Sequence, residues 1–170
     1  MTTTTIRGWL SGRLPSDWFT EPPEVTVDKD EVLVVGVVAE PGIADDADDA
    51  ERAAAAQGRI GAFREETRAE RIRIARELGH RSGRTVSWGA RCGSEQVLFT
   101  TASVPVMTRL RQAERQTLDT LVDAGVARSR SDALAWCVRL VGRNSETWLA
   151  DLREALATVE KVRATGPDGA

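Results

Sequence analysis

Alternation of apolar and polar positions predicts four short strands in the first hundred residues. Strands are predicted over 25–27 and 31–38, joined by a short polar turn, and over 85–89 and 96–101, joined by a turn near Gly93. Each pair has the pattern of a β-hairpin. The segment 31–38 is apolar on both faces, which predicts a central and buried strand.

Between the two hairpins the period changes to that of a helix. The acidic run from Asp45 to Glu51 opens the helical segment, where carboxylates match the positive end of the helix dipole. Gly58 and Gly61 are candidate points for a kink. The apolar face is predicted from residues at steps of three and four, namely Ile60, Phe63, Thr67, Ile74 and Leu78. The opposite face is rich in arginine and includes Arg64, Arg68, Arg71, Arg73 and Arg76. Residues 1–23 are predicted to be irregular.

A second alternating segment begins after residue 103. Its mostly apolar face consists of Val106, Thr108 and Leu110, and its basic face of Met107, Arg109 and Arg111. This period predicts a strand. A lone strand leaves its backbone N–H and C=O groups unpaired, so we expect it to pair with the same strand of a second copy.

Two amphipathic helices follow this strand. The first ends before Gly125, a residue type typical of the position after a helix. The second is capped by Ser129 or Ser131. The apolar faces are predicted to hold Leu118, Leu121 and Val122 in the first helix and Leu134, Cys137, Val138 and Val141 in the second. Two helices bury a thin core, which again favours a homodimer.

The chain of 170 residues has room for one ordinary domain or two small ones, and its pattern predicts an α+β fold. We divide it into an N-terminal α+β domain over 1–102, with two hairpins and a long helix, and a strand-helix-helix module over 103–143. A C-terminal helix over 144–164 and a disordered tail over 165–170 follow. The N-terminal domain is expected to serve sensing, oligomerisation or contact with a partner.

The module matches a known sequence pattern at several positions. These are Leu110, the run Leu-Asp-Thr-Leu-Val-Asp-Ala-Gly over 118–125 and the run Ser-Arg-Ser-Asp-Ala-Leu over 129–134. An alternating strand that ends in leucine and precedes these runs resembles the ribbon-helix-helix family of DNA-binding proteins. The resemblance covers residues 104–143 and does not extend to the N-terminal half.

The resemblance implies a two-stranded ribbon, shared by two subunits, that enters the DNA major groove. The base-contacting residues would be Met107, Arg109 and Arg111. The start of the second helix would hold a phosphate, and the residues implied there are Ser129, Arg130 and Ser131. Thr108 and Arg111 depart from the usual residues of the family.

Charge is distributed unevenly along the chain, whose net charge is −3. Residues 15–52 contain twelve acidic and two basic residues, whereas residues 57–91 contain nine arginines and four glutamates. Residues 104–143 contain seven arginines and four acidic residues. Attraction to DNA depends on the local surface, so the negative total does not exclude it. The arginine-rich helix face is either a solvated face with internal ion pairs or a second DNA contact.

No pattern typical of an enzyme is present. The chain has one histidine, His80, and lacks both a Gly-x-Ser-x-Gly elbow and a glycine-rich phosphate loop. Cys92 and Cys137 are expected to be buried thiols, and we expect no metal site, no catalytic residue and no cofactor. No secretory leader and no transmembrane run is recognised, which predicts a cytoplasmic protein. The DNA binding implied by the resemblance would associate it with the nucleoid.

The sequence therefore predicts a transcriptional regulator, a repressor, that binds double-stranded DNA as a homodimer or higher oligomer. No membrane partner is expected, and the N-terminal domain leaves room for a protein or small-molecule partner. Two alternatives remain open. One is an antitoxin-like or other protein-interaction module, and the other is an architectural DNA-binding protein with little sequence preference.

Overall fold

The computed structural model describes residues 1–44 and 46–165, and these residues form an α+β fold. They divide into two compact units, the first spanning Met1–Val106 and the second beginning at Met107. Apart from Thr165, which ends a helix, the tail predicted to be disordered lies outside the described residues.

The first unit is built on one four-stranded sheet. Its strands are β1 (Glu24–Val27), β2 (Glu31–Val37), β3 (Thr85–Cys92) and β4 (Glu95–Leu98), in the spatial order β1-β2-β3-β4. The pairs β1–β2 and β3–β4 are antiparallel, which confirms both predicted hairpins. The central pair β2–β3 is parallel, because the helices between these strands carry the chain back across the sheet.

The helix α1 (Thr3–Arg13) shows that the prediction of an irregular start was wrong. The hydroxyl of Thr2 caps it by accepting a hydrogen bond from the N–H of Thr5 at 3.3 Å. Ile6 and Leu10, one turn apart, are fully buried in the core of the first unit. This burial explains why a segment rich in threonine and glycine is helical.

The predicted long helix is two helices, α2 (Asp49–Glu66) and α3 (Arg68–Ser82). The break lies at Thr67 and not at the glycines where a kink was predicted. The hydroxyl of Thr67 donates to the carbonyl of Phe63 at 2.6 Å, a bond that competes with the regular helical pattern. The predicted apolar face is confirmed, since the five residues assigned to it are buried.

The helix α2 begins later than the acidic run suggested. Asp48 is its N-cap, and its carboxylate accepts a hydrogen bond from the N–H of Glu51 at 2.8 Å. Asp45, at the start of the predicted helix, lies outside the described residues.

The second unit contains α4 (Gln112–Asp123), α5 (Arg130–Asn144) and α6 (Glu146–Thr165). The helix α4 ends as predicted, with Gly125 at a φ of 72°. There the N–H of Gly125 donates to Val122 and the N–H of Val126 donates to Leu121, both at 3.0 Å. These two bonds close the helix in the Schellman arrangement.

The strand predicted over 104–111 is not formed in the single chain, where residues 100–111 have no regular secondary structure. The reason is physical, because a strand exists only when another strand pairs with its backbone groups. None of the four described strands pairs with this segment.

Candidate nucleic-acid interface

The helical unit that would carry the DNA contacts has a very small core. Its buried residues are Leu118, Ala127 and Ala133. Five partly buried residues pack against them, namely Leu110, Leu121, Val122, Leu134 and Cys137. The contact of Leu110 fixes the end of the segment 104–111 beside α4 and α5. A unit with so few buried side chains is marginally stable by itself.

The three predicted base-contacting residues lie on the surface. Met107 is 98% exposed, and the side chain of Arg109 makes no hydrogen bond or ion pair with the described residues. Arg111 differs from them because it is the N-cap of α4, where its N–H donates to the carboxylate of Glu114 at 2.5 Å. The structure therefore places Met107 and Arg109 in the irregular segment and Arg111 at the start of a helix.

Apolar side chains in the segment 104–111 are unusually exposed. Val104 is 50% exposed and Val106 is 85% exposed, next to the almost fully exposed Met107. Neighbouring apolar side chains of this kind mark surfaces that another molecule covers. The segment thus combines apolar surface with the guanidinium groups of Arg109 and Arg111.

The start of α5 contains all three predicted phosphate-contacting residues. Ser129 is the N-cap, and its hydroxyl accepts a hydrogen bond from the N–H of Asp132 at 3.2 Å. The N–H groups of Arg130 and Ser131 have no partner among the described residues, as is usual in the first turn of a helix. These two N–H groups and the exposed hydroxyl of Ser131 form a surface suited to an anion.

Arg130 is bound to a carboxylate of the preceding helix. Its Nε and Nη2 atoms donate to the two carboxylate oxygens of Asp119 at 2.6 and 2.7 Å. The hydrogen bonds from Arg130 hold the pKa of Asp119 below its ordinary value, and the same bonds raise the pKa of Arg130. Arg130 therefore links α4 to α5 in the single chain.

Asp132 adds a negative charge at the same helix start. Its carboxylate accepts a hydrogen bond from the N–H of Arg128 at 3.0 Å, and it lies 4.0 Å from the guanidinium of Arg139. The roles of Asp119 and Asp132 were not predicted from the sequence. The spacing Ser129-x-x-Asp132, which is typical of a capping motif, could have revealed the second of them.

Some arginines of α2 and α3 make contacts within the first unit. Arg73 pairs with Glu70 at 2.6 Å, and Arg59 pairs with Glu66 at 3.6 Å. Arg71, assigned to the exposed face, is only 6% exposed, and its guanidinium lies 4.8 Å from the ring centre of Phe99. Burial lowers the pKa of Arg71. Arg71 is therefore buried, and its assignment to the exposed face was wrong.

A cavity of about 480 Å³ lies in the first unit between the start of α2 and the turn that joins β3 to β4. Its charged lining consists of the carboxylates of Glu40, Asp49 and Glu95 and the guanidinium of Arg52. The carboxylate of Glu95 accepts a hydrogen bond from the side chain of Gln57 at 3.0 Å. No group of three metal-ligating side chains occurs among residues 1–44 and 46–165.

Comparison with known families gives matches in both halves of the chain. The family described as "Rv1265-like protein, N-terminal domain" matches residues 4–98. The family described as "Mb1296 C-terminal domain" matches residues 111–163. No solved structure matches the chain. In the part of the chain that the structure describes, no helix is both long enough and apolar enough to cross a bilayer.

Similar proteins occur in mycobacteria. The chain is 58% identical over 160 residues to "Uncharacterized protein Rv1265" of Mycobacterium tuberculosis, an alignment that covers 94% of this chain and 69% of the relative. The same values hold for "Uncharacterized protein Mb1296" of Mycobacterium bovis.

These matches show that the assignment to the ribbon-helix-helix family was wrong. The family that matches the second unit is the Mb1296 C-terminal domain, and its match begins at Arg111, the last residue of the segment that would form the ribbon. The resemblance rested on short runs around Gly125 and Ser129. Such runs encode a helix C-terminus and a helix N-cap, which many unrelated helical pairs share.

Proposed function

The chain belongs to the family of Rv1265-like proteins, and we propose that two copies of it act together as a sequence-specific DNA-binding transcriptional regulator, a repressor. The observation that carries this proposal is the exposed segment 104–111, where Met107 is 98% exposed and the side chain of Arg109 has no ion pair with any described residue. This segment precedes a helical pair whose buried core has three residues. Because the surface is both apolar and cationic, it suits base edges flanked by phosphates.

Pairing between two copies of this segment supplies the partner strand that the described residues of a single chain do not provide. An antiparallel ribbon made from two copies gives the backbone groups partners and lets the two small helical cores merge into one. A two-stranded ribbon fits the major groove, which is about 12 Å wide. In that arrangement Met107, Arg109 and Arg111 lie on the face of the ribbon that is directed toward the DNA.

The chemistry of these side chains fits base recognition. The guanidinium of Arg109 can donate two hydrogen bonds to the O6 and N7 atoms of a guanine, which discriminates by about 1–3 kcal/mol per contact. Met107 is suited to contact a thymine methyl group. Arg111 is the weakest of the three candidates, because its backbone already serves as the cap of α4.

The start of α5 would hold the DNA backbone. The N–H groups of Arg130 and Ser131, together with the helix dipole, favour a phosphate oxygen there. The seven arginines and four acidic residues of 104–143 give this part of the chain a positive balance that supports the proposal. We expect a protein with this activity to be cytoplasmic and associated with the nucleoid.

A double substitution tests the proposal. Met107→Ala with Arg109→Ala is expected to lower the preference for a selected duplex over a scrambled one by more than about tenfold. The matched control, Ile72→Ala with Arg76→Ala, also removes one exposed apolar side chain and one arginine, but from α3. Circular dichroism and the mass in solution should be unchanged in both variants. An undiminished preference in the first variant would refute the assignment.

A further inference from the structure

The apolar face of the helix α6 (Glu146–Thr165) is largely exposed among the described residues. Its apolar residues form one strip and are mostly exposed, with Trp148 at 58%, Leu152 at 41%, Leu156 at 62%, Val159 at 46% and Val162 at 67%. Leu149, on the same strip, is partly exposed. A helix of 20 residues has marginal stability in water unless another surface covers its apolar face.

The spacing within the strip suits pairing between helices. Leu149, Leu152, Leu156 and Val159 are separated by steps of three, four and three residues, which are the a and d positions of a heptad. This order of steps reads the same in both directions along the helix. The strip is therefore complementary to its own copy when the two helices run antiparallel, with Leu149 opposite Val159 and Leu152 opposite Leu156.

The charges at the ends of α6 favour the antiparallel direction. Glu146 lies in the first turn and Arg163 in the last turn. Neither side chain forms an ion pair with the described residues, so both are available to a partner. Antiparallel pairing brings Glu146 of each copy beside Arg163 of the other copy. Parallel pairing would instead place Arg163 opposite itself at an a position, where two like charges repel.

We propose that α6 pairs antiparallel with α6 of a second copy of this chain. Four apolar layers and two reciprocal contacts between Glu146 and Arg163 form this interface. The inference does not rest on the proposed DNA binding, because it uses neither the segment 104–111 nor the start of α5.

The apolar layers can be tested by adding charge to the strip. Leu152→Asp with Leu156→Asp is expected to raise the dissociation constant of self-association by more than about tenfold, because both leucines lie in the central layers. The matched control is Ala150→Asp with Ala157→Asp, which adds the same two charges at exposed positions on the far side of the helix. Sedimentation equilibrium of the full chain over a dilution series gives the constant.

The orientation can be tested by exchanging the end charges. Glu146→Arg alone, or Arg163→Glu alone, is expected to weaken association by about threefold to tenfold at low salt. The two substitutions together are expected to restore it, since each copy again meets an opposite charge. These surface changes leave the apolar strip intact, so they test the interface even if the aspartate variant fails to fold.

Two results would overturn the proposal. One is an unchanged dissociation constant in the Leu152→Asp and Leu156→Asp variant when circular dichroism shows it folded. The other is a charge exchange that fails to restore association, which would exclude the antiparallel pair. DNA affinity is measured separately for every variant, so a failure of this interface and a failure of the DNA-binding proposal can be distinguished.

Discussion

Arg130 and Asp119 form a two-bond ion pair, with nitrogen-to-oxygen distances of 2.6 and 2.7 Å, that joins the first residue of α5 to α4. Arg130 is also one of the residues proposed to contact a DNA phosphate. Its guanidinium therefore has two possible anionic partners, the carboxylate of Asp119 and a phosphate. The balance between them depends on whether Asp119 is charged.

The first prediction concerns pH. The pKa of Asp119 is lowered in the folded chain, so the ion pair contributes stability that is fully present above the unfolded pKa of about 3.9 and is lost as the pH falls through the lower folded pKa. Asp119→Asn should be less stable than the parent chain near neutral pH and equally stable in strong acid. Urea denaturation of both proteins from about pH 6 to about pH 2 measures this. A difference that does not change with pH would contradict the prediction.

The second prediction concerns Asp132, whose carboxylate lies at the proposed phosphate site. Asp132→Asn removes the negative charge and keeps an oxygen that can accept the hydrogen bond from Arg128. We expect affinity for all duplexes to rise by about threefold to tenfold, because a like charge no longer opposes the phosphate. Fluorescence anisotropy measures this affinity. Asp123→Asn, in the last turn of α4, is the control. An equal gain in the control would indicate only a change of net charge.

The third prediction concerns Gly36 in the central strand β2. A Cβ atom at this position would lie 2.2 Å from the ring of Phe19, which packs directly on the glycine backbone. Gly36→Ala is therefore expected to destabilise the first unit by about 1–3 kcal/mol. Gly58→Ala is the matched control, because its Cβ would meet open space within α2. It should instead stabilise the helix by about 0.5–1 kcal/mol. Thermal unfolding that ranks these two variants in the opposite order would contradict the packing described here.

The sequence predicts those parts of the fold whose partners are close along the chain. The hairpins follow from local alternation, and the end of α4 follows from Gly125. The helix α1 was missed because its only signal is the pair Ile6 and Leu10, among threonines and glycines that favour other structures. The break at Thr67 depends on a hydroxyl bond to the carbonyl of Phe63, which the apolar period does not reveal.

The candidate site was less predictable for two reasons. The strand expected over 104–111 requires a partner strand, and none of the four described strands pairs with it, so the sequence pattern could not determine whether the single chain forms it. The pair between Arg130 and Asp119 joins two helices across a turn, and its geometry depends on how those helices pack. The positions of Ser129 and Ser131 at a helix start could be predicted from the sequence, because helix capping depends on neighbouring residues.

Selection of bound duplexes from a random DNA pool at about 0.15 M salt, followed by sequencing, determines whether the chain recognises a DNA sequence. We predict enrichment of one motif with two related half-sites, as expected for a symmetric dimer. The full chain should be shown to be folded and self-associated under the same conditions. Recovery of no motif from such a sample, or equal binding of all duplexes with steep salt dependence, would contradict sequence-specific recognition.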